Sequence, residues 1–503
     1  MTRLVRILLA AIVATPAAAQ SRTAVNGNSP AALAQRLEHS IKRLVRVNGQ
    51  ADSTWNLADR LRYWHVPGVS VAIVDDFRIV YAKGFGVTEF GASAIVDTTT
   101  LFQAGSISKA VFATGLLRLV EQGKLSLDED VNGKLKSWRV PESPFNEREK
   151  VTLRRLLTHS AGLTVWGFPG YASGKPVPTV PQVLDGAPPA NTPAVRNDTV
   201  PGTRWLYSGG GYTIAQLVST DVTGESFPAL MKRLVLDPAG MKRSTYENPL
   251  PVSRSREASS GHERLDTPVP GRYHTYPEMA AAGLWSTAPE LARWALAVTK
   301  AYNAEPDAIL SPAMARQMVF KHQPTGPRGG NGFYGLGVAV AGDGDSISFS
   351  HNGRDEGFVA AAVMWPKVGR GLFIMSNGVS GQLMNEIRMA FTELYGLGDA
   401  RRVDRSAVSV DPATLGTLAG RYEAVAATDT LRFDVSIIGG ALQVYGHAGK
   451  RSYTLVPSGT DTFFDPNTNG AFTFERDTAS AGRPAVAMRL GTGPASRRVA
   501  RVP

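Results

Sequence analysis

The chain has 503 residues, of which 43% are hydrophobic and 19% are charged, which excludes a disordered or fibrous protein and allows one large and one smaller domain. The formal net charge is +11, but the basic residues are scattered rather than gathered in a dense tract, so we expect no nucleic-acid partner. The absence of cysteine excludes disulfides, thiolate metal sites and a cysteine nucleophile.

Residues 1–19 have the pattern of a secretory signal peptide. Arg3 and Arg6 supply the positive start, residues 7–13 the apolar stretch, and residues 17–19 a run of alanines suited to a cleavage site. We therefore predict cleavage before Gln20 and a periplasmic or secreted protein; a buried N-terminal helix is the alternative. No later apolar run is long enough to span a bilayer, so we expect no integral membrane segment after cleavage.

The first predicted elements are a hairpin and two helices. Residues 69–74 and 78–82 are rich in β-formers on either side of a turn at residues 75–76, which predicts a hairpin entering a sheet. A helix should begin at Ser106 and end at a glycine cap, Gly123. Residues 153–159 predict a second short helix, closed by Gly162.

The middle of the chain alternates between loops and regular elements. Residues 166–202 are rich in Pro, Gly and Thr, which predicts a long loop that either forms the rim of a substrate cleft or packs on the surface. Residues 283–298 predict a loop and a helix capped by Ser286 or Thr287. Residues 346–350, 359–365 and 371–376 are spaced as an antiparallel meander.

The character of the sequence changes after residue 398. Helical periodicity stops, and short alternating segments predict strands at residues 441–445, 462–464, 471–475 and 486–490. We predict a main domain over residues 20–400, a linker over 401–412 and a small β-domain over 413–503. Arg401, Arg402 and Arg405 lie in that linker, where a solvated connector is the simplest interpretation.

Ser106 and Lys109 are candidate catalytic residues. They lie three residues apart at the start of a predicted helix, so both side chains project from one face. A confined lysine amine can have its pKa lowered and accept the serine proton, while the helix N-terminus assists an oxyanion. The spacing alone is a weak signal, because it arises by chance in chains of this length.

Two further motifs follow in the chain. Tyr207 precedes Ser208 and Gly209 and offers a phenol for proton transfer, although a tyrosine packed beside a glycine turn is the simpler interpretation. His351 and Gly353 follow the predicted strand 346–350; the glycine lets a substrate approach the backbone, and the next amide, that of Arg354, is a candidate oxyanion donor. A histidine in an edge turn is the alternative.

In this order the motifs resemble those of the serine β-lactamase and penicillin-binding family, which includes class C β-lactamases, D-alanyl-D-alanine carboxypeptidases, D-aminopeptidases and related esterases. The resemblance covers residues 66–377. Beyond the three motifs it includes connecting segments at residues 66–69, 100–109, 123–128, 156–163 and 282–287. In this family the segment around His159 supports the site from a neighbouring helix end, so we expect that histidine to be structural.

The resemblance implies a fold and a set of roles. The fold is α/β, an antiparallel sheet flanked by helices with a helical subdomain, and the C-terminal β-domain is expected to be a small barrel or sandwich. Ser106 would be acylated, Lys109 and Tyr207 would share proton transfer, and the amides of Ser106 and Arg354 would form the oxyanion hole. No cofactor or metal is implied, and water releases the acyl group.

Two positions depart from the family pattern. The tyrosine motif often ends in asparagine but here ends in Gly209, so an amide that would hold a substrate amide is missing. The third motif usually begins with lysine but here begins with His351, which is mostly neutral at pH 7 when unperturbed. We therefore predict a serine hydrolase acting on a small ester, amide or peptide, as an esterase or D-amino-acid peptidase would.

Several alternatives stay open. A β-lactamase or D-alanyl-D-alanine carboxypeptidase is one, and a non-catalytic penicillin-binding sensor or scaffold is another, although the presence of Ser106, Lys109 and Tyr207 favours an enzyme. The Gly-x-Ser-x-Gly, His-Glu-x-x-His and phosphate-binding glycine motifs do not occur. The eight histidines are dispersed, so no metal site is expected.

Overall fold

The computed structural model describes residues 29–264, 267–398, 402–425, 430–447, 451–477, 482–493 and 496–503. The predicted signal peptide, residues 1–19, lies outside the described residues. The α-helices are α1 Pro30–Gln35, α2 Leu57–Tyr63, α3 Ile107–Glu121, α4 Leu153–Leu157, α5 Val180–Asp185, α6 Gly209–Thr223, α7 Phe227–Met231, α8 Met279–Ala282, α9 Ala288–Tyr302, α10 Pro312–Met318, α11 Gly381–Tyr395 and α12 Pro412–Gly416. Within the described ranges, none of the helices combines the length and apolarity needed to cross a membrane.

The strands before residue 398 are β1 Val45–Val47, β2 Gly68–Asp75, β3 Arg78–Gly86, β4 Phe102–Gln103, β5 His262–Arg264, β6 Thr267–Pro268, β7 Trp285–Ser286, β8 Gln323–Pro324, β9 Phe333–Tyr334, β10 Ala339–Ala341, β11 Ser348–Asp355, β12 Phe358–Trp365 and β13 Arg370–Ser376. The later strands are β14 Val403–Arg405, β15 Gly420–Val425, β16 Thr430–Ile438, β17 Ala441–Gly446, β18 Arg451–Thr454, β19 Val456–Pro457, β20 Thr462–Phe464, β21 Ala471–Glu475, β22 Ala487–Leu490 and β23 Arg497–Val502.

The main sheet has eight strands in the order β3-β2-β13-β12-β11-β10-β9-β8, and all neighbouring strands are antiparallel. The predicted hairpin is β2 and β3, and the predicted meander is β11 to β13. The boundaries of β11 were wrong: the strand begins at Ser348 rather than residue 346, and it does not end at residue 350 but continues to Asp355. The third motif therefore lies within a strand, because the pairing with β12 continues as far as Asp355 opposite Phe358.

Both faces of this sheet are covered, which explains why β2 is buried along its whole length. Ala72 and Val74 pack into the core that contains α3, α6 and α9, whereas Val71 and Ile73 pack into the core formed with α1, α2 and α11. This alternation is what a strand between two layers requires. The predicted α/β fold, an antiparallel sheet flanked by helices, is confirmed.

The helices differ from the prediction in their caps, number and length. Thr287 precedes α9 and its hydroxyl accepts a hydrogen bond from the Glu290 amide, so Thr287 rather than Ser286 is the cap. The long loop over residues 166–202 contains one short helix, α5, which the sequence did not predict. The helix at 153–159 is shorter than expected and ends at Leu157, with Thr158 rather than Gly162 at its cap.

The C-terminal region forms a nine-stranded sheet in the order β18-β17-β16-β15-β23-β22-β21-β20-β19. Its two edge strands, β18 and β19, are consecutive in the chain, so the sheet is nearly closed and barrel-like. It has its own core, which includes Tyr422, Val444, Phe463 and Met488. The predicted small β-fold is confirmed, and the domain boundaries stay a prediction.

The expectation of a solvated connector was wrong for residues 402–405. β14 pairs in parallel with β1, so Val403–Arg405 is part of a two-stranded sheet rather than a free linker. Arg402 is 5% exposed and donates to Asp52 at 2.8 Å, because the chain entering the C-terminal sheet runs beside the N-terminal segment. Arg405 likewise donates to Asn469.

Candidate active site

The turn that carries Ser106 is held rigidly at the start of α3. Ser106 occupies the N-cap position and is half-buried. The Ser108 hydroxyl donates to the Gly105 carbonyl at 2.6 Å and accepts from the Leu284 amide at 2.9 Å, which ties the turn to the segment before β7. The Tyr246 hydroxyl also donates to the Ser108 carbonyl at 2.8 Å. The nucleophile candidate is thus positioned by bonds to two other parts of the chain.

Lys109 lies one helical turn further on and reaches back to Ser106. Its Nζ is 2.9 Å from the Ser106 Oγ and 2.8 Å from the carbonyl oxygen of Ala281, at the end of α8. The lysine is 2% exposed, and burial lowers its pKa from 10.5 to about 7. A neutral amine in this position donates to the Ala281 carbonyl and keeps its lone pair for the serine proton.

Tyr207 lies above this pair, immediately before the Ser208 cap of α6. The Lys109 Nζ is 5.0 Å from the centre of the Tyr207 ring. Burial raises the pKa of the Tyr207 phenol above its ordinary value, and a hydrogen bond with Ser106 opposes that rise. The phenol therefore keeps its proton at neutral pH, which suits a proton donor or relay and leaves Lys109 as the base.

His159 supports the tyrosine, as the resemblance implied. Its ring packs against Tyr207 with centroids 4.1 Å apart, and its Nδ1 accepts from the Ser208 amide at 3.1 Å. Burial lowers the pKa of His159 well below 6.5, and the nearby Lys109 lowers it further, so the ring is neutral. A neutral ring with an accepting Nδ1 holds the start of α6 without adding a charge beside Lys109.

Strand β11 crosses close to the serine turn, and two glycines make this possible. A Cβ added to Gly353 would lie 1.9 Å from the Ala104 carbonyl oxygen and 3.3 Å from the Ser106 amide nitrogen. A Cβ added to Gly105, whose φ is +51°, would lie 2.4 Å from the Arg354 amide nitrogen. Larger residues would force the strand away, so glycine at both positions brings the Ser106 and Arg354 amides together.

In the third motif, His351 is neutral and Arg354 is paired with a carboxylate. The His351 Nδ1 is 2.6 Å from the Asn352 carbonyl, which can only accept, so Nδ1 carries the ring proton and Nε2 is an acceptor. Burial lowers the pKa of His351 from 6.5 to about 3, and Lys109 lowers it further, so the ring is uncharged at pH 7. The exposed Arg354 is paired with Glu263 at 3.1 Å.

Gly209 lies behind the cavity surface rather than on it. It is buried at the first position of α6, and a Cβ added there would lie 2.9 Å from the ring of Phe168. Its backbone φ is outside the left-handed region, so the space taken by Phe168, and not the backbone conformation, requires glycine here. The ring of Phe168 occupies the room that a side chain at position 209 would need.

Asp355 is a site residue that the sequence reasoning missed. It ends β11, is 4% exposed and lines the cavity with Ser106 and Lys109. Among the described residues neither of its carboxyl oxygens has a hydrogen-bond partner. Burial raises its pKa well above 3.8, while the positive charge of Lys109 lowers it. The signal was available: had the strand been extended, its two-residue alternation would have placed Asp355 on the face of His351 and Gly353.

Glu278, which precedes α8, is a second buried carboxyl near this site. It is fully buried, and burial raises its pKa from 4.5 to about 8. When Glu278 is ionised, its charge in turn raises the pKa of Asp355. Nothing in the local sequence indicated its position, because only the packing of α8 against α3 and α6 brings it near Asp355.

These groups open onto one cavity of about 640 Å³. It is lined by Ser106, Lys109, Tyr207, His351, Gly353, Arg354 and Asp355, together with residues 166–169 of the long loop. The loop over residues 166–202 was expected either to form the rim of the cleft or to pack on the surface. Its first part, residues 166–169, forms the rim. Except for Gly209, the structure brings every predicted site residue to this cavity surface.

Comparison with known proteins identifies the family of the chain and proteins of similar fold. The family model described as Beta-lactamase matches residues 57–391. The chain is 26% identical over 259 residues to "Unguisins hydrolase ungD" of Aspergillus violaceofuscus, a match that covers 47% of this chain and 42% of that protein. The chain therefore spans less than half the length of this curated relative.

Two solved structures share the fold. The octameric penicillin-binding protein homologue from Pyrococcus abyssi has a TM-score of 0.60 at 24% identity, covering 88% of this chain and 97% of that one. The D-amino acid amidase from Ochrobactrum anthropi SV3 has a TM-score of 0.54 at 20% identity, covering 67% of this chain and 96% of that one. At these identities the likeness concerns the fold.

Proposed function

The chain belongs to the β-lactamase family, and we propose that it is a serine hydrolase that cleaves an ester or amide through an acyl-enzyme on Ser106. The observation that carries the proposal is the 2.9 Å contact between the Lys109 Nζ and the Ser106 Oγ. Because burial brings the pKa of this lysine to about 7, a large fraction of Lys109 is neutral at physiological pH. A buried, partly neutral amine in contact with a serine hydroxyl can accept the hydroxyl proton. The contact therefore activates Ser106 as a nucleophile.

The first half of the reaction forms the acyl-enzyme. The Ser106 Oγ attacks the substrate carbonyl carbon as its proton moves to the Lys109 Nζ, which gives a tetrahedral oxyanion. We assign the Ser106 and Arg354 amides to that oxyanion, since the close approach of β11 brings them together. The bond to the leaving alcohol or amine then breaks, and Tyr207 and Lys109 deliver the proton to the leaving group.

The second half releases the product. Water attacks the Ser106 ester and gives up one proton to the Lys109 and Tyr207 pair. The second tetrahedral oxyanion that results is stabilised by the same two backbone amides. Collapse of this intermediate frees the carboxylic acid and returns a proton to the Ser106 Oγ. The cycle consumes one water molecule and needs no redox partner.

The first prediction concerns pH. If Lys109 is the base, kcat/KM for an uncharged ester should fall about tenfold per pH unit below an inflection near pH 7, because the lysine is protonated there. Asp355 raises the pKa of Lys109. Its isosteric replacement Asp355→Asn should therefore move the inflection to lower pH. The measurement is the pH profile of kcat/KM for both proteins.

A matched control separates this effect from a general change of charge. Asp345 is exposed on the segment before β11, and Asp345→Asn should leave the inflection where it is in the wild type. An inflection that Asp355→Asn leaves unchanged would show that Asp355 carries no charge beside Lys109 in the working enzyme. A purely structural defect would lower the rate at every pH without moving the inflection.

The second prediction concerns substrate preference. Among the described cavity residues other than Lys109, Arg354 is the fixed cation, and Glu263 neutralises it. His351 is neutral and presents an acceptor, so it does not anchor a substrate carboxylate. We expect kcat/KM for small acyl esters to exceed that for penicillins and cephalosporins by at least about tenfold at neutral pH.

The test is a panel of nitrophenyl esters, a chromogenic cephalosporin and D-amino-acid peptides. His351→Lys should raise the ratio of cephalosporin to ester turnover, since it restores a cation to the third motif. Faster turnover of the cephalosporin by the wild type would contradict the argument and point to Arg354 as the anchor. If every compound acylates Ser106 and the acyl group is never released, the result would instead favour a sensor.

A further inference from the structure

One side of the cavity is an aromatic wall, formed by Trp166, Phe168, Trp205, Tyr207, Phe333 and Tyr334. Trp166 and Trp205 both pack against Tyr207: the centroids of Trp166 and Tyr207 are 5.4 Å apart, and those of Trp205 and Tyr207 are 6.1 Å apart. The wall reaches from the mouth of the cavity to the tyrosine of the catalytic group. The wall therefore borders the same cavity as Ser106.

The wall is anchored by the start of α6. The Gly209 amide donates to the Trp166 carbonyl at 3.0 Å, and the Ser208 hydroxyl donates to the Thr164 carbonyl at 2.8 Å. These bonds fix the loop that carries Trp166 and Phe168 to the same helix end that follows Tyr207. The backbone that carries Trp166 and Phe168 is thus fixed relative to the helix start beside Tyr207, which favours a preorganised subsite.

The Phe168 ring fills the space beside position 209. Position 209 has no room for a side chain, because an added Cβ would lie 2.9 Å from the Phe168 ring and 3.2 Å from the Trp166 carbonyl oxygen. A ring carbon at this place cannot hydrogen-bond a substrate amide, whereas it gains contact area with an apolar group. This corner of the cavity is therefore apolar.

The mouth of the cavity also exposes apolar surface. Trp166 is 74% exposed and Phe333 is 37% exposed. Large exposed rings that border a cavity are typical of a surface that a ligand covers.

We propose that the aromatic wall is the subsite for a large apolar or aromatic group of the substrate, so that the preferred substrates are hydrophobic esters or amides. This inference rests on the proposed hydrolase function and names its substrate class. The group binds by burying its surface against Phe168, Trp166 and Phe333, and the scissile carbonyl faces Ser106.

The test varies one side of the ester at a time. Nitrophenyl acetate, butyrate and phenylacetate vary the acyl group, and acetates of methyl, butyl and benzyl alcohol vary the leaving group. We expect kcat/KM to rise by about 10- to 100-fold from the smallest to the largest member of at least one series. A flat or falling profile in both series would overturn the proposal.

Variants locate the effect on the wall. Trp166→Ala removes an exposed ring that is not part of the core, and Phe168→Ala removes the ring beside Gly209. Each should reduce the large-to-small ratio by about tenfold. Phe145→Ala, at a ring that is 40% exposed outside the cavity, should leave the ratio unchanged. A ratio that neither wall variant alters would contradict the assignment.

An aromatic wall can also attract a cation, and one substrate pair distinguishes the two cases. Acetylcholine and 3,3-dimethylbutyl acetate have the same shape and differ in charge. Equal or better turnover of the neutral ester supports the apolar subsite, and a tenfold preference for acetylcholine would overturn it.

The same assay separates failure of this inference from failure of the proposed function. An acetyl group found on Ser106 after mixing with nitrophenyl acetate supports the hydrolase whatever the size preference. If no adduct forms on Ser106 and nitrophenyl acetate is not hydrolysed, the proposed function fails, whatever the size preference.

Discussion

Ser106→Ala is expected to lower kcat for ester hydrolysis by about 10⁴-fold or more, to the background that binding and the oxyanion donors alone provide. The substitution removes the Ser106 hydroxyl oxygen, which lies 2.9 Å from the Lys109 Nζ. The hydrogen bond from Lys109 to the Ala281 carbonyl stays in place. The half-buried serine fills little core volume, so the fold should persist. Burst kinetics and intact-mass analysis of the quenched reaction measure the loss.

The control is a serine of the same kind away from the cavity. Ser253 is exposed, and Ser253→Ala should keep full activity and the same acyl adduct. Thermal unfolding of both variants should match that of the wild type, which shows that lost activity is not lost structure. An adduct on another residue, or activity that survives in Ser106→Ala, would remove Ser106 from the mechanism.

The second large effect concerns the proton path. Lys109→Ala and Tyr207→Phe should each lower kcat by about 10²- to 10⁴-fold, the usual contribution of general acid–base catalysis. The double variant should lose far less than the product of the two, because the Lys109 amine and the Tyr207 ring, 5.0 Å apart, act on the same proton. Steady-state kinetics of the four proteins measure this coupling.

Lys109→Arg sharpens the test. Arginine keeps a positive charge but stays protonated, so it cannot accept the serine proton and should be as inactive as Lys109→Ala. Lys300 is exposed on α9, and Lys300→Arg should be silent. Additive losses in the double variant, or appreciable activity in Lys109→Arg, would contradict a shared path through a neutral lysine.

The sequence predicted correctly those elements whose structure depends on residues close together in the chain. The hairpin of β2 and β3 and the helix after Ser106 depend on alternation, turns and caps within a few residues. The end of β11 was missed because Asn352, Gly353 and Arg354 lack β-forming side chains; pairing with β12 extends the strand through them. Arg402 was misjudged for a similar reason, since its partner Asp52 is 350 residues away.

The sequence by itself determined the family resemblance, the antiparallel α/β fold and the identity of Ser106, Lys109 and Tyr207 as candidates, because those depend on residue types in a fixed order. Only the tertiary structure decided the environment of these groups. The burial that brings the pKa of Lys109 to about 7 comes from packing between distant segments, and so does the Phe168 ring that fills the space beside Gly209. Chemistry can be recognised from local residues, whereas desolvation and the shape of a cavity arise only when distant residues meet.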